Sequence, residues 1–464
     1  VTDARALATA VDELRGALAP ARVVVDREQL AAYGRDESEL GVYPPDVLVL
    51  PETTEEVRRV VAVASRHRLP IAPVGARSGK SGGILAVEAG LALSLERMNR
   101  ILEISVEDLV ARVQPGIITG VFQAEVERHG LFYPPDPNSA DLCSLGGNVA
   151  ENAGGPRALK YGVTREYVLG LEVVLATGEV LRTGHRSIKG VAGYDMTALL
   201  VGSEGTLGIV TEIMVKLLPR PRHVSTALVT FRTVEDAARA VSRVLAAGII
   251  PRCLELLDDV ALEASARSAP FKFPPGAGAA VLVETDGNDE EQVFAEIVRV
   301  AEAVQADAAG DVIVAQNEAQ RRDIWESRKY VSMNLKKLHP LKLSEDVAVP
   351  RSRIPEMVRK TREIGASHGF LVATYGHAGD GNLHANVLFD REEERPRVEA
   401  AVADILRAAV DLGGTITGEH GVGLAKRDFL EYEQGAELVA LQRRLKGVFD
   451  PLGILNPGKI FPAR

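Results

Sequence analysis

Three glycine-rich turns crowd the first half of this chain, and they limit what it can fold into more than any other feature. Gly75-Ala76-Arg77-Ser78-Gly79-Lys80-Ser81-Gly82-Gly83 follows the short run Pro70–Pro73. Gly146–Gly155 follows the proline-rich stretch Pro134–Ser139, and Gly202-Ser203-Glu204-Gly205-Thr206-Leu207-Gly208 opens the alternating run Ile209–Lys216. Without a Cβ, glycine takes φ > 0 and lets backbone approach a ligand or another strand closely. Successive amides in such a loop form a concavity suited to an anion such as a pyrophosphate. The first loop matches neither the P-loop nor the GxGxxG fingerprint. One such loop can be a plain surface turn. Three within one domain imply a long ligand threaded along backbone.

Around these turns the pattern alternates between β and α. Val47–Leu50 reads as a strand, and Thr53 with Glu56 forms a capping box for a helix carrying Val57, Val60, Val61 and Ala64 on one face. Further strands are expected at Leu91–Leu95, Leu109–Val113, Val168–Ala176, Val180–Thr183 and Ile209–Lys216, with a helix at Thr119–His129. Pro219-Arg220-Pro221-Arg222 reads as a linker. Beyond it come two β-α-β units: Thr226–Phe231, a helix over Val234–Ala247 and Cys253–Leu257, then Ala280–Thr285, a helix over Glu290–Ala303 and Asp311–Ala315. Such a tandem predicts a ferredoxin-like antiparallel sheet with helices on one face. A last helix is expected at Val439–Phe449. The fold class is therefore α+β, and 464 residues suffice for two or three domains.

Composition removes several function classes. A net charge of −10 with no basic block speaks against nucleic-acid binding. No apolar run approaches the ~18 residues of a membrane span, and Val1–Arg5 lacks the apolar core of a secretory signal. Two distant cysteines, Cys143 and Cys253, form no disulfide framework, so a cytoplasmic location is expected. They are also too few for an iron–sulfur cluster, which takes about four thiolates.

The second half carries the chemistry. Gly376-His377-Ala378-Gly379-Asp380-Gly381-Asn382-Leu383-His384 and Gly418-Glu419-His420-Gly421 hold three of the nine histidines. Two imidazoles and a carboxylate are a common ligand set for a divalent metal such as Zn²⁺ or Mn²⁺. That leaves His420 for proton transfer. The competing reading is a set of structural histidines in a strand-turn-strand.

Taken together, Gly146–Gly155, Gly202–Gly208, His377–His384, Gly418–Gly421 and the terminal Asn456-Pro457-Gly458-Lys459-Ile460-Phe461 resemble, in order, the motifs of the FAD-dependent D-2-hydroxyacid dehydrogenases of the vanillyl-alcohol-oxidase fold. That family includes the flavin-binding chain of glycolate oxidase, D-lactate dehydrogenase and D-2-hydroxyglutarate dehydrogenase. The resemblance covers nearly the whole chain. It implies a PCMH-type FAD-binding domain over 1–221 (core about 43–221), a ferredoxin-like cap domain with the metal site over 222–424, and a segment 425–464 returning to the FAD domain.

The resemblance also implies roles. Pro73, Val74, Gly75, Arg77, Ser78, Gly79 and Ser81 would cradle the FAD pyrophosphate. Pro137, Gly146, Gly147, Asn148, Gly154, Gly155, Ile209 and Asn456 would line the rest of the cofactor. His377, His384 and Glu419 match the metal ligands, His420 the base, and Arg328 in Trp325-Glu326-Ser327-Arg328 the group that binds the substrate carboxylate. Asn382 would face the substrate. Lys342 could take the second carboxylate of a diacid, the alternative being a surface lysine. His420 would take the hydroxyl proton while hydride passes to flavin N5. Arg77-Ser78 departs from the glycine-threonine of many members, so Arg77 would reach a phosphate or point to solvent. Cys143 is expected to lie beside a noncovalent flavin without attaching to it.

Reoxidation calls for an external acceptor: a quinone, a cytochrome, an electron-transfer flavoprotein or an iron–sulfur subunit. A homodimer, peripheral to a membrane at most, is expected. Two alternatives share the fold, a non-redox flavin transferase of the alkylglycerone-phosphate synthase type and the flavin subunit of a multi-subunit glycolate oxidase.

Overall fold

Short valine- and leucine-rich strands alternating with amphipathic helices form one body of the molecule, and a broad antiparallel sheet forms another. The computed structural model describes residues 4–305, 307–310 and 312–463. Contacts divide the chain into a first unit of Val1–Ala153, Val163–Arg220 and Glu419–Arg464, and a second of Gly154–Gly162 and Pro221–Gly418.

The first unit has a four-stranded sheet in the order Val23–Val24, Val47–Val49, Leu91–Ser94, Ile71–Val74, the last three parallel. Parallel strands covered on both faces are apolar throughout, and all residues of Val47–Val49 and Leu91–Ser94 are buried. The helix Thr54–His67 packs Val57, Val60, Val61 and Ala64 into this core. Thr53 accepts from the Glu56 amide as expected. The reciprocal half of the box is absent: the Glu56 carboxylate takes the Glu52 amide and both terminal nitrogens of Arg22. A bidentate guanidinium outcompetes a single backbone donor.

The same unit has a five-stranded sheet, Ile101–Ser105, Val110–Val113, Ile209–Lys216, Val168–Val174, Val180–Gly184, antiparallel throughout. In the tail, the Ile71 amide donates to Ile454 and the Asn456 amide to Ile71, each at 2.7 Å, so Leu455 runs parallel to the edge strand.

The second unit is built on a seven-stranded antiparallel sheet: Ile313–Val314, His223–Phe231, Ala279–Gly287, Cys253–Leu257, Leu371–His377, Asn382–Phe389, Leu341–Ala348. The first four stand in the interleaved order of two β-α-β units, with Val234–Ala246 and Glu290–Val304 as their helices, as the tandem predicts. The strand Ile313–Val314 is shorter than the expected Asp311–Ala315, and Asp311 lies outside the described residues, as does Val1–Asp3. Three further strands extend the sheet from Cys253–Leu257, and only the apolar run at Phe370–Ala373 announces them. No helix among the described residues is long and apolar enough to cross a membrane.

Register does the functional positioning. Glu255 pairs with His377, Tyr375 with His384, and Asp346 with His384. Paired residues share a face and faces alternate along each strand, so Glu255, Tyr375, His377, Asn382, His384 and Asp346 all lie on one side of the sheet. The turn between the two histidine strands closes at Gly381, where φ is +94° and a Cβ would stand 2.1 Å from the Val349 carbonyl oxygen. Gly381→Ala should therefore destabilise the protein by about 1–3 kcal/mol, measured as a shift in the denaturation midpoint. A midpoint equal to wild type would show that the turn tolerates a side chain.

Candidate active site

Glycine makes much of the wall of a cavity in the first unit. Pro73, Val74, Gly75, Ser144, Gly146, Gly147, Gly205, Ile209 and Asn456 line it, enclosing roughly 680 Å³ of empty space with its open mouth included. A Cβ on Gly75 would stand 2.7 Å from Ser144 Oγ, one on Gly146 2.5 Å from Pro115, and one on Gly205 3.0 Å from Pro73. These glycines allow the walls themselves to meet closely. The amides of Leu145 and Gly146 donate to the carbonyls of Ile117 and Pro115, so they are not available to a ligand. The loop after Ile71–Val74 is different. Among the described residues, the amides from Ala76 to Ser81 donate to no protein group, which leaves a run of donors of the kind that cradles phosphate oxygens.

Two carboxyl groups, Glu151 and Glu204, also line this cavity. Glu204 accepts from the amides of Val422 and Gly423, both at 2.7 Å, and so grips the loop just after His420. Burial pushes its carboxyl up to about 7, against those two amides and the charges of Lys459 and Lys426. Burial, then the neighbouring Glu204 and Asp36, raises Glu151 well above the ordinary carboxylate range. Its Oε2 is buried without a hydrogen-bond partner. Asn456 spans the cavity rim, donating to the carbonyls of Gly83 and Glu204 at 2.9 and 2.7 Å.

In the second unit the polar face of the sheet carries the two histidines. His377 and His384 are 2% and 5% exposed, with ring centroids 5.3 Å apart and planes at 88°. His377 Nδ1 lies 2.5 Å from Glu255 Oε1. The helix Glu318–Lys329, capped by Asn317, brings Arg328 to the same carboxylate, Nε to Oε2 at 2.8 Å. Arg328 is 4% exposed. Its guanidinium lies over Tyr375 at 4.7 Å, and its Nη2 makes no hydrogen bond. Asp346, fully buried, accepts from Asn382 Nδ2 at 2.5 Å, Thr417 Oγ1 at 2.9 Å and the Gly418 amide at 3.0 Å. The next residues, Glu419 and His420, are half-buried and belong to the first unit.

Pro137, Arg77, Ser78, Gly79, Ser81 and Asn148 are not among the residues that line this cavity itself. Pro137 turns the chain by accepting from the Ala140 amide. Arg77 stacks on Tyr33 at 4.3 Å and donates to the Ala32 carbonyl. Asn148 donates to Thr119 Oγ1 inside the fold, and the Ser81 carbonyl takes the amides of Leu424 and Ala425. Gly154 and Gly155 fall in the second unit. Cys143 is buried against Thr119, off the cavity wall, with its thiol raised by burial.

Lys342 is not a surface lysine. It is buried and donates to Ser332 Oγ at 2.7 Å and Asn386 Oδ1 at 2.9 Å. Arg328 is buried as well, and its neighbour Trp325 donates to Glu284. Sequence reasoning missed Glu151, Glu204, Glu255 and Asp346. For Glu255 a signal existed, a lone acid in the apolar strand Cys253-Leu254-Glu255-Leu256-Leu257.

Comparison with known proteins agrees with this architecture. Residues 220–460 match the family described as FAD linked oxidases, C-terminal domain, and residues 45–184 match an FAD binding domain. The chain is 46% identical to the glycolate oxidase subunit GlcD of Bacillus subtilis over 90% of its own length and 89% of that protein's. It is 37% identical to the D-lactate dehydrogenase of Anaerostipes hadrus, over 96% and 95%. In three dimensions it resembles p-cresol methylhydroxylase with a TM-score of 0.81 at 19% identity, covering 99% of this chain and 97% of the other, which shows the fold expected from the motifs.

The carboxyl pair in the cavity makes stability depend on pH. A folded-state pKa above the ordinary 4.5 means that the folded chain binds more protons than the unfolded one, so the ligand-free protein should lose stability as pH rises from about 4.5 towards 7 and beyond. Glu151→Gln removes one of the two acids and its repulsion of the other. Its melting temperature should fall less than wild type across that range. Parallel melting-temperature profiles would show that the pair does not titrate there.

Proposed function

The chain belongs to the family of FAD-linked oxidases, and on that premise we propose that it is a metal-assisted dehydrogenase oxidising a small D-2-hydroxy acid, or glycolate, to the 2-oxo acid. The observation that carries this reading is a buried arginine and a buried histidine pair sharing one sheet face, joined through Glu255. An apolar interior does not bury a guanidinium with an unused donor unless an anion answers it.

FAD bound noncovalently in the glycine-walled cavity supplies the two-electron acceptor, with the open amides of Ala76–Ser81 fitting its pyrophosphate. The chemistry of the donor set at His377, His384 and Glu419 fits a divalent ion, zinc or manganese, which supplies Lewis acidity at the substrate hydroxyl. Arg328 takes the substrate carboxylate on its remaining N–H groups, a planar fork matched to that anion. Asn382 lies on the same sheet face as the histidines, its amide nitrogen held by Asp346 and the Val347 carbonyl. His420 takes the hydroxyl proton, on a loop that the Glu204 carboxylate fixes two residues further on.

Lys342 bears on the substrate class. It shares the polar face, yet its ammonium is already engaged by Ser332 and Asn386. A second carboxylate would have to displace both, so a monocarboxylic acid is favoured. The reduced protein passes its electrons to a separate acceptor, a quinone, cytochrome, electron-transfer flavoprotein or iron–sulfur subunit, because two cysteines are too few to hold an iron–sulfur cluster.

Anaerobic mixing of the purified yellow protein with D- and L-2-hydroxy acids, followed by flavin absorbance, tests the reading. Rapid bleaching by glycolate or D-lactate is expected, slower bleaching by a 2-hydroxydiacid, and none by the L-acids. A flavin that no hydroxy acid bleaches would point to non-redox chemistry instead. His420→Ala should retain flavin but slow bleaching by about 10²–10⁴, the scale of a lost general base. Bleaching at the wild-type rate would make His420 a structural residue.

A further inference from the structure

The strand Cys253–Leu257 carries one charged residue, and every side chain in it is buried. Glu255 is 0% exposed between Leu254 and Leu256. An acid in such a place needs partners for both oxygens, because removing a carboxylate from water costs several kcal/mol even after relaxation. It has one partner on each. Oε1 meets His377 Nδ1 at 2.5 Å and Oε2 meets Arg328 Nε at 2.8 Å.

Both contacts are built in. The first follows from strand register, since Glu255 and His377 are directly paired. The second is braced by Tyr375, which supports the guanidinium from the face of its ring at 4.7 Å. An ordinary buried ion pair would need only Arg328, yet here the second oxygen is turned to an imidazole.

We propose that Glu255 is a positioning residue that holds His377 with Nδ1 donating, so that Nε2 presents its lone pair towards His384's side of the face, while the same carboxylate fixes the guanidinium of Arg328. An ionised carboxylate only accepts, so each nitrogen facing it donates. With Nδ1 carrying the proton, the neutral ring has one basic nitrogen left, Nε2. A carboxylate behind a ligating histidine fixes its tautomer and raises its basicity, and losing it typically weakens metal affinity 10–100-fold. One side chain thus orients the metal-binding group and the anion-binding group together.

This inference rests on the proposed metal reading, and the experiment separates the two. Zinc is titrated into flavin-loaded, metal-stripped wild type and Glu255→Gln in competition with a chelating dye. Flavin content and circular dichroism report folding, and the half-saturating concentration of the hydroxy acid is measured alongside. Wild type should bind zinc, Glu255→Gln should bind it 10–100-fold more weakly, and the variant should need more substrate because Arg328 is no longer held. A wild type that binds no zinc defeats the metal reading itself. Wild-type zinc affinity in a folded Glu255→Gln leaves that reading intact and overturns the role of Glu255.

If Glu255→Gln does not fold, ¹⁵N-histidine NMR of the zinc-loaded wild type decides, with His377 assigned by its loss in His377→Gln. A proton on Nδ1 and zinc on Nε2 support the proposal, and the reverse tautomer refutes it.

Discussion

Strand register in the second unit is the constraint on which the polar site depends. The pairing of Glu255 with His377, and of His384 with both Tyr375 and Asp346, places five titratable side chains on one face. A one-residue slip of any strand would turn its whole set to the opposite face. Helices cover both faces of this sheet, so a displaced imidazole or carboxylate would meet apolar packing and lose its partner. Hydrophobic alternation therefore enforces the register, and the register in turn brings the polar groups together. Gly381 makes this possible, since a tight turn four residues after His377 is what keeps the two histidine strands in phase.

In the first unit the glycines divide into two physical kinds. Gly75, Gly146 and Gly205 are needed because other protein atoms occupy the place of a side chain. The stretch Ala76–Ser81 matters through its amides, which the fold leaves open. Both kinds look alike in sequence. The distinction separates the amides of Leu145 and Gly146, which protein carbonyls already take, from those of Ala76–Ser81, which make no protein hydrogen bond among the described residues.

Local pattern carried the regular elements and non-local pairing did not. The helix Thr54–His67, the strand Ile209–Lys216 and the interleaved β-α-β units follow from periodicities within a dozen residues. The motif histidines were legible because glycine frames them. Glu255 was not, since its meaning comes from His377, 122 residues away, and from a register that no local window contains. The surroundings of Lys342 and Arg77 are non-local too: Asn386 and Tyr33 are brought to them only by the fold. Half of the Thr53–Glu56 box failed because Arg22 competes for the same carboxylate.

The chain passes from the second unit to the first between Gly418 and Glu419, and buried carboxylates hold it on either side of that step. Asp346 accepts from Thr417 and from the Gly418 amide, and Glu204 accepts from the amides of Val422 and Gly423. Only Glu419, His420 and Gly421 lie between the two anchors. Gly421 has φ +84°, and a Cβ there would stand 1.9 Å from Glu151 Oε2, so this backbone has no room for another side chain. Asp346 takes both of its donors on one oxygen, Oδ2, and Glu204 takes one on each of its oxygens, and hydrogen bonds to a charged acceptor are among the stronger restraints on a loop. The acid and the imidazole expected to do the chemistry therefore sit on a segment that is fixed by groups which do none, and Asp346 and Glu204 are as much a part of the site's design as the residues they position.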